Sequence, residues 1–373
     1  MTHGGKMSAA DNNILLELLG AAIKSKHVAI IVHNNPDPDS IASAFGLSLL
    51  IKRKFKAEAK IFYGGIIGRA ENRAMVRELC IPMNSFDKLD MRIFRTIAMV
   101  DTQPSAGNNQ LPSKIIPDIV IDHHLPVRKQ THKAAFKDVR DTTGATSTIV
   151  LGYLRAADIK INTNLATALF YGIKTDTYDL GRDFIKDDTE AYKFLLEKIS
   201  RAKLGRIERP LHDREYFAKL HEALENAVVA DDVVTTVIRN LESPDIAAEV
   251  ADWLYTLKSA KWAVAIGAMR DRIHISIRTR EKKRNAASVI RKIVGARGVA
   301  GGHGQIAGGI VFPSKHDNDS IETEIAKTID RIRAAIIRKE AFAAHPLIEK
   351  RAKSGAGSLS GNETTAKKKG DPA

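Results

Sequence analysis

Val28-Ala29-Ile30-Ile31-Val32-His33-Asn34-Asn35-Pro36-Asp37-Pro38-Asp39-Ser40 is the stretch that decides the fold. Five apolar residues in a row predict a buried strand, and the apolar-periodic run after Ser40 predicts a helix with Ser40 near its N-cap. Between them, a histidine and two aspartates fall close together. Asn and Asp also serve as turn formers, but metal-type side chains crowded at a strand-to-helix turn read first as a site. Asp37 and Asp39 each follow a proline, a residue whose φ is fixed near about −65°. In an extended loop carboxylates two apart point to opposite sides, so this pair suits two neighbouring ions better than one.

The same grammar recurs outward from this turn. Residues 57–63 alternate as a strand before Gly64-Gly65, and 72–79 are helical. Residues 97–100 are an apolar strand stopping at Asp101, and 118–121 another running into Asp122-His123-His124. Apolar strands separated by helices predict a parallel sheet covered on both faces. Ligands of such sheets bind beyond the carboxyl ends of the strands. His33, Asp101 and His123 each follow an apolar strand, so three strands deliver side chains to one edge. Asp101 is the natural bridge between two ions. Adjacent side chains diverge in an extended segment, so one of His123 and His124 is an easy ligand and the other can face a substrate. Asp176, leaving a predicted helix over 164–173 in a polar turn, is a candidate fourth contributor.

The set His33, Asp37, Asp39, Asp101, His123 and Asp176 holds four carboxylates, two imidazoles and no thiolate. That mix favours manganese or magnesium over a structural tetrahedral zinc. Two such ions suit in-line displacement at phosphorus, and basic side chains can complete the neutralisation of phosphate charge.

The bulk properties bound the rest. A chain of 373 residues with 44% hydrophobic content is long enough for two domains. The formal net charge of +14 and a pI near 9.7 favour anionic partners such as nucleotides or nucleic acid. Cys80 is the single cysteine, which excludes intramolecular disulfides and cysteine-rich zinc sites. No apolar run approaches the roughly 18–20 residues of a membrane helix, and the first ten residues lack the basic segment of a signal peptide. A cytoplasmic protein without a membrane partner is expected.

We expect a catalytic domain over 1–200, a basic, broken linker over 201–215 and a smaller α/β domain over 216–345. A basic tail over 346–373, rich in Gly, Ser, Thr and Lys, should be disordered. In the second domain Ile273, Ile275 and Ile277 share one strand face while His274, Ser276 and Arg278 share the other. A helix over 286–294 then leads to the glycine-rich run Gly301-Gly302-His303-Gly304-Gln305-Ile306-Ala307-Gly308-Gly309.

His33-x-x-Pro36-Asp37-x-Asp39-Ser40, Asp101, Asp122-His123-His124 and Gly172-Ile173-x-x-Asp176 resemble, in order, the four motifs of the DHH phosphoesterase superfamily. Ser276-Ile277-Arg278 and the glycine run resemble its DHH-associated substrate-binding domain. The likeness spans 22–337. It implies a parallel-sheet α/β catalytic domain followed by a smaller α/β substrate domain. It further implies one manganese held by His33, Asp37 and Asp101 and a second by Asp39, Asp101, His123 and Asp176, with magnesium or cobalt as substitutes. Asp122 would orient a ligating histidine, and His124 would contact the scissile phosphate and help protonate the leaving group. Arg278 and His303, with the backbone at Gly301 and Gly302, would grip a substrate phosphate or base. Two residues depart from the motifs: Ala42 stands where glycine is usual, and Ile306 where alanine is usual.

Within the superfamily, the size and two-domain order resemble the nanoRNase-type oligoribonucleases. These cut short RNA oligomers and linear dinucleotides to mononucleotides and often remove the 3′-phosphate of adenosine 3′,5′-bisphosphate. The alternatives are a RecJ-like single-strand exonuclease, a cyclic-dinucleotide phosphodiesterase and, from another class, a non-catalytic nucleic-acid-binding protein. A short oligonucleotide or nucleotide is the expected partner, with a homodimer as the candidate assembly.

Overall fold

The computed structural model describes residues 9–281, 284–337 and 343–349. The described residues divide into two compact units, one ending at Asp213 and the other beginning at Arg214. The expected tail from 350 onward lies outside the described residues.

The first unit runs α1 (Ala9–Ala21), β1 (His27–Ile31), α2 (Pro38–Lys54), β2 (Glu58–Tyr63), α3 (Ala70–Leu79), β3 (Met83–Ser85), β4 (Thr96–Val100), β5 (Ile119–Asp122) and β6 (Phe136–Val139). Four helices follow: α4 (Thr146–Ala156), α5 (Thr163–Asp176), α6 (Lys186–Leu196) and α7 (Arg201–Glu208). The strands form one parallel sheet in the order β3-β2-β1-β4-β5-β6. The order reverses between β1 and β4, and such a switch point is where a crevice opens in a parallel sheet.

Alternation along the strands sorts two cores. Val28, Ile30, Ala98, Val100, Ile119 and Ile121 face the helices in one large cluster. Ile31, Ile97, Met99 and Val120 face the other way, where Leu111, Phe86, Leu89 and Ile115 cover them. The sheet is buried on both faces as expected, but among the described residues the second cover is built from loops and a 3-10 turn instead of helices. The stretch 201–215, read as a broken linker, contains α7 and the start of the next helix. No helix among the described residues is long and apolar enough to cross a membrane.

The second unit runs α8 (Arg214–Glu225), β7 (Val228–Ala230), β8 (Val233–Ile238), α9 (Asp245–Leu254), β9 (Trp262–Ala268), β10 (Ile273–Thr279), α10 (Ala286–Val294), β11 (Gly298–His303), β12 (Ile306–Val311), α11 (Asn318–Ile336) and β13 (Ala344–Pro346). Its sheet has the order β11-β12-β10-β9-β8-β7-β13. Ile273, Ile275 and Ile277 pack with Val264, Ile266, α10 and α11. Ala263 and Ala265 face the α8 and α9 side. Pro346 still pairs with Val228, and the amide of Leu347 bonds the Ala227 carbonyl, so the sheet reaches past the expected domain end at 345.

Candidate metal centre

The opening turn folds as a capped helix start. Asp37, not Ser40, is the N-cap of α2: its Oδ1 accepts the Ser40 amide at 2.9 Å, and Pro38 takes the first helical position. Pro is suited there because its missing amide hydrogen would have no helical partner. Asp39 therefore sits inside the first turn, and helical twist, not an extended loop, separates the two carboxylates.

Asp37 Oδ2 turns toward His33, 3.5 Å from Nε2. Asp39, fully buried, turns to the start of α4, where its oxygens accept the amides of Thr146 at 2.7 Å and Ser147 at 2.9 Å. Asp101 follows β4 with φ at +58°, a left-handed conformation that costs a non-glycine residue and concentrates at functional sites. Its Oδ2 lies 3.7 Å from His33 Nε2 and its Oδ1 3.6 Å from His123 Nε2. Asp176, the last residue of α5, brings Oδ2 to 3.1 Å from His123 Nε2.

Two triads of ligand-type atoms result: His33, Asp37 and Asp101, and Asp39, His123 and Asp176. Within each, the atoms lie within 4.8 Å of one another. Asp101 reaches both. The donors fit a divalent cation. The Nδ1 atoms of His33 and His123 lie 2.9 Å from the Asn34 carbonyl and 3.1 Å from the Thr143 carbonyl. A carbonyl only accepts, so Nδ1 carries the proton and Nε2 is presented to the carboxylates, the arrangement of a metal-ligating imidazole. Asp101 Oδ2 is buried without a hydrogen-bond partner, and His123 Nε2 has only its 3.1 Å ion-pair contact with Asp176, which suits both atoms to ligating a cation.

The charges carry the same message. Burial opposes protonation of His33, but the Asp37 carboxylate outweighs it and raises the imidazole to about 9. Burial likewise opposes protonation of His123, and the adjoining Asp176 and Asp39 carboxylates raise it to about 10. Burial and the charge of Asp176 lift Asp39 to about 7. Burial, with Asp39, Asp37 and Asp176 around it, holds Asp101 well above the ordinary carboxyl range. Packed carboxylates without a cation resist joint ionisation.

One histidine expectation is corrected. The rings of His123 and His124 do not diverge; they stand edge to face, 4.2 Å between centroids. His124 Nδ1 comes within 3.7 Å of Asp101 Oδ1, so Asp101, His123 and His124 form a third close group. The cause is Asp122. Its Oδ1 lies 2.9 Å from His124 Nδ1 and accepts the His123 amide at 2.9 Å. Asp122 therefore aims His124, while the ring of His123 is held by the Thr143 carbonyl. Burial works against the Asp122 charge, and the hydrogen bond from His124 overcomes it, holding the carboxyl low.

Three supporting residues escape the sequence reading. Gln103 is buried and donates to both Asp122 Oδ2 and the His124 carbonyl at 2.8 Å, while its oxygen accepts from the Arg128 amide and the Thr131 hydroxyl. Thr146 donates its hydroxyl to Asp101 Oδ1 at 2.8 Å, and Ser147 supplies an amide to Asp39. A usable signal was Gly144-Ala145-Thr146-Ser147, small and hydroxyl residues opening an apolar helix. Gly172 of α5 completes the frame: a Cβ there would lie 2.6 Å from Ser147 Oγ and 3.1 Å from the Asp39 Cα.

The expected substrate residues belong to the second unit. Arg278 is buried, not a free strand end: its Nε donates to Asp252 of α9 at 2.5 Å and one terminal nitrogen to the Ile277 carbonyl at 3.0 Å. It pairs in register with Ile306, which pairs with His303, so Arg278, Ile306 and His303 form one row across three strands. Gly301 and Gly302 precede His303 on the edge strand β11. Gly302 has φ at +140°, and a Cβ there would meet the Ala307 Cα at 2.5 Å.

A switch-point α/β sheet ending in paired His and Asp clusters defines the class of this unit. Residues 27–173 match the model of the DHH family, N-terminal domain. The chain is 36% identical over 277 residues to an uncharacterized protein of Methanocaldococcus jannaschii, covering 74% of this chain; it spans 56% of that relative's length. Its fold is similar to the crystal structure of an exopolyphosphatase-related protein from Bacteroides fragilis, with a TM-score of 0.66 and 15% identity over 90% of this chain and 99% of that one.

Proposed function

We propose that this protein is a manganese-dependent phosphoesterase that hydrolyses short RNA oligonucleotides and linear dinucleotides to mononucleotides. The 3′-phosphate of adenosine 3′,5′-bisphosphate is its second substrate in this reading. One observation carries the reading: Asp101, buried between two imidazoles, keeps Oδ2 without a hydrogen-bond partner. In this assignment His33, Asp37 and Asp101 hold one ion, and Asp39, Asp101, His123 and Asp176 hold the other. Bound divalent ions supply charge neutralisation at phosphorus and an activated water.

The chain's own residues do the rest. Asp122 and Gln103 fix His124, whose side chain is 48% exposed, at the solvent side of the cluster. From there it can touch a phosphoryl oxygen and pass a proton to the leaving oxygen. The amides at the start of α4 and the Thr146 hydroxyl hold Asp39 and Asp101 in position. Arg278, Gly301, Gly302 and His303 are the proposed grip on the substrate's phosphate or base, with open space beside Gly301, where a Cβ would meet nothing within 4 Å, allowing close backbone approach.

The deciding experiment incubates the manganese-loaded protein with pApA, pGpG, longer single strands, adenosine 3′,5′-bisphosphate and pyrophosphate. Mononucleotide release from pApA, absent in Asp101→Ala, is expected. A manganese-loaded protein inactive on every short oligonucleotide and nucleotide would falsify the reading.

A further inference from the structure

In the second sheet, β8 and β9 run parallel, joined through α9, while the other pairs are antiparallel. The carboxyl ends of parallel strands linked by a helix are where a binding crevice opens. At that end of β8 and β9 lies a cavity of about 500 Å³, within the range of small-ligand sites. It is walled by the residues after β8, the turn after β9 and the beginning of α11.

The wall chemistry selects a ligand. Arg239 and Arg270 bring guanidinium groups and His316 an imidazole to one space, where Glu322 is the one carboxylate on the wall. Glu322 is already committed, its two oxygens accepting from Arg239 at 2.6 and 2.8 Å. Arg239 is thereby fixed and neutralised. Arg270 makes no ion pair among the described residues, so its charge is left for a ligand. Asn318, also on the wall, is the first residue of α11, a helix of 19 residues whose amino end adds positive potential to the arginine. Asp317, its N-cap, is spent on the Ser320 amide at 2.7 Å. Met269 and Ile321 supply an apolar surface beside this cationic end.

We propose that this cavity binds a phosphate monoester of nucleoside-monophosphate size, its phosphate on Arg270 and His316 at the start of α11 and its base against Met269 and Ile321. The site is separate from the row containing Arg278. Ala268, on the cavity wall, pairs with Ile273, whereas Arg278 pairs with Ala263, five residues or about 17 Å along the strand. The proposal stands on the second unit alone and does not rest on the reading of the metal centre.

Calorimetric titration of the full chain with AMP, after passage over chelating resin, tests it, with inorganic phosphate titrated in parallel. Saturable AMP binding is expected, unchanged in Asp101→Ala and weakened about tenfold in both Arg270→Glu and His316→Glu. Phosphate should compete with AMP and bind more weakly, because it forgoes the apolar wall. Arg270 and His316 are exposed, so both variants should melt with the parent, which a thermal scan checks. Absence of AMP binding, loss of it in Asp101→Ala, or full affinity in the two charge-reversed variants would each overturn the assignment.

Discussion

Asp39 caps a helix that Thr146 begins, 107 positions further along the chain. The N-cap residue of α4 itself, Ala145, offers no side-chain acceptor, so a carboxylate in the ligand cluster does the capping. Asp39→Ala should leave two buried amides without an acceptor and cost about 1–3 kcal/mol of stability. Asp39→Asn should recover part of that through its one carbonyl oxygen and still fail to bind the ion. Urea denaturation of the metal-free proteins reads this out, and an Asp39→Ala variant as stable as the parent would remove the capping role.

Loading the centre should release protons. In the metal-free protein His33 and His123 titrate near 9 and 10 and Asp39 near 7, so at neutral pH all three hold protons in whole or part. Ligands bind metal deprotonated. Manganese uptake at pH 7 is therefore expected to expel more than two protons, and apparent affinity to rise as pH climbs toward the histidine values. Calorimetry in buffers of different ionisation enthalpy counts them. Heats independent of buffer would contradict the assignment of both imidazoles as ligands.

Gln103→Leu should act on turnover without touching the ion. The change strips a donor from Asp122 and from the His124 carbonyl while leaving every ligand atom in place. A fall in kcat of about 10–100-fold, with manganese affinity unchanged, is the expected split. Parallel loss of metal would show that Gln103 merely supports the fold.

His274 gives the second unit a pH dependence of its own. Burial, reinforced by the charge of Arg272, lowers its imidazole from 6.5 to about 4. Above 6.5 both folded and unfolded states are neutral and its contribution is complete. Between 6.5 and 4 the unfolded chain takes up a proton that the fold refuses, so stability declines as pH falls, by up to about 3 kcal/mol in all. The stability of His274→Gln relative to the parent should climb over that window. Parallel curves for the two proteins would show that His274 is not the group responsible.

The residues that end apolar runs were the readable part of this site. His33, Asp101 and His123 each follow a strand whose residues bury on both faces, and parallel strands force their carboxyl ends to one edge. Asp37 and Asp39 were readable because proline and aspartate crowd a helix start. What escaped was direction. Whether Asp122 points to His123 or to His124 depends on how the chain leaves β5, and no spacing rule encodes that. Gln103, Thr146 and Ser147 escaped because their partners lie 19 to 108 positions away. Arg278 was placed on the right strand face, but its buried pairing with Asp252 needed α9 packed against that face.

Gly172 presses α5 against α2 with no room for a methyl group. Asp176 rides on one of these helices and Asp39 on the other. The calibre of the second ligand triad is thus gauged by the clearance between two rods, with a bare hydrogen as the shim. Anyone retuning this centre for a larger or smaller ion would begin at position 172, where the chain offers no ligand atom.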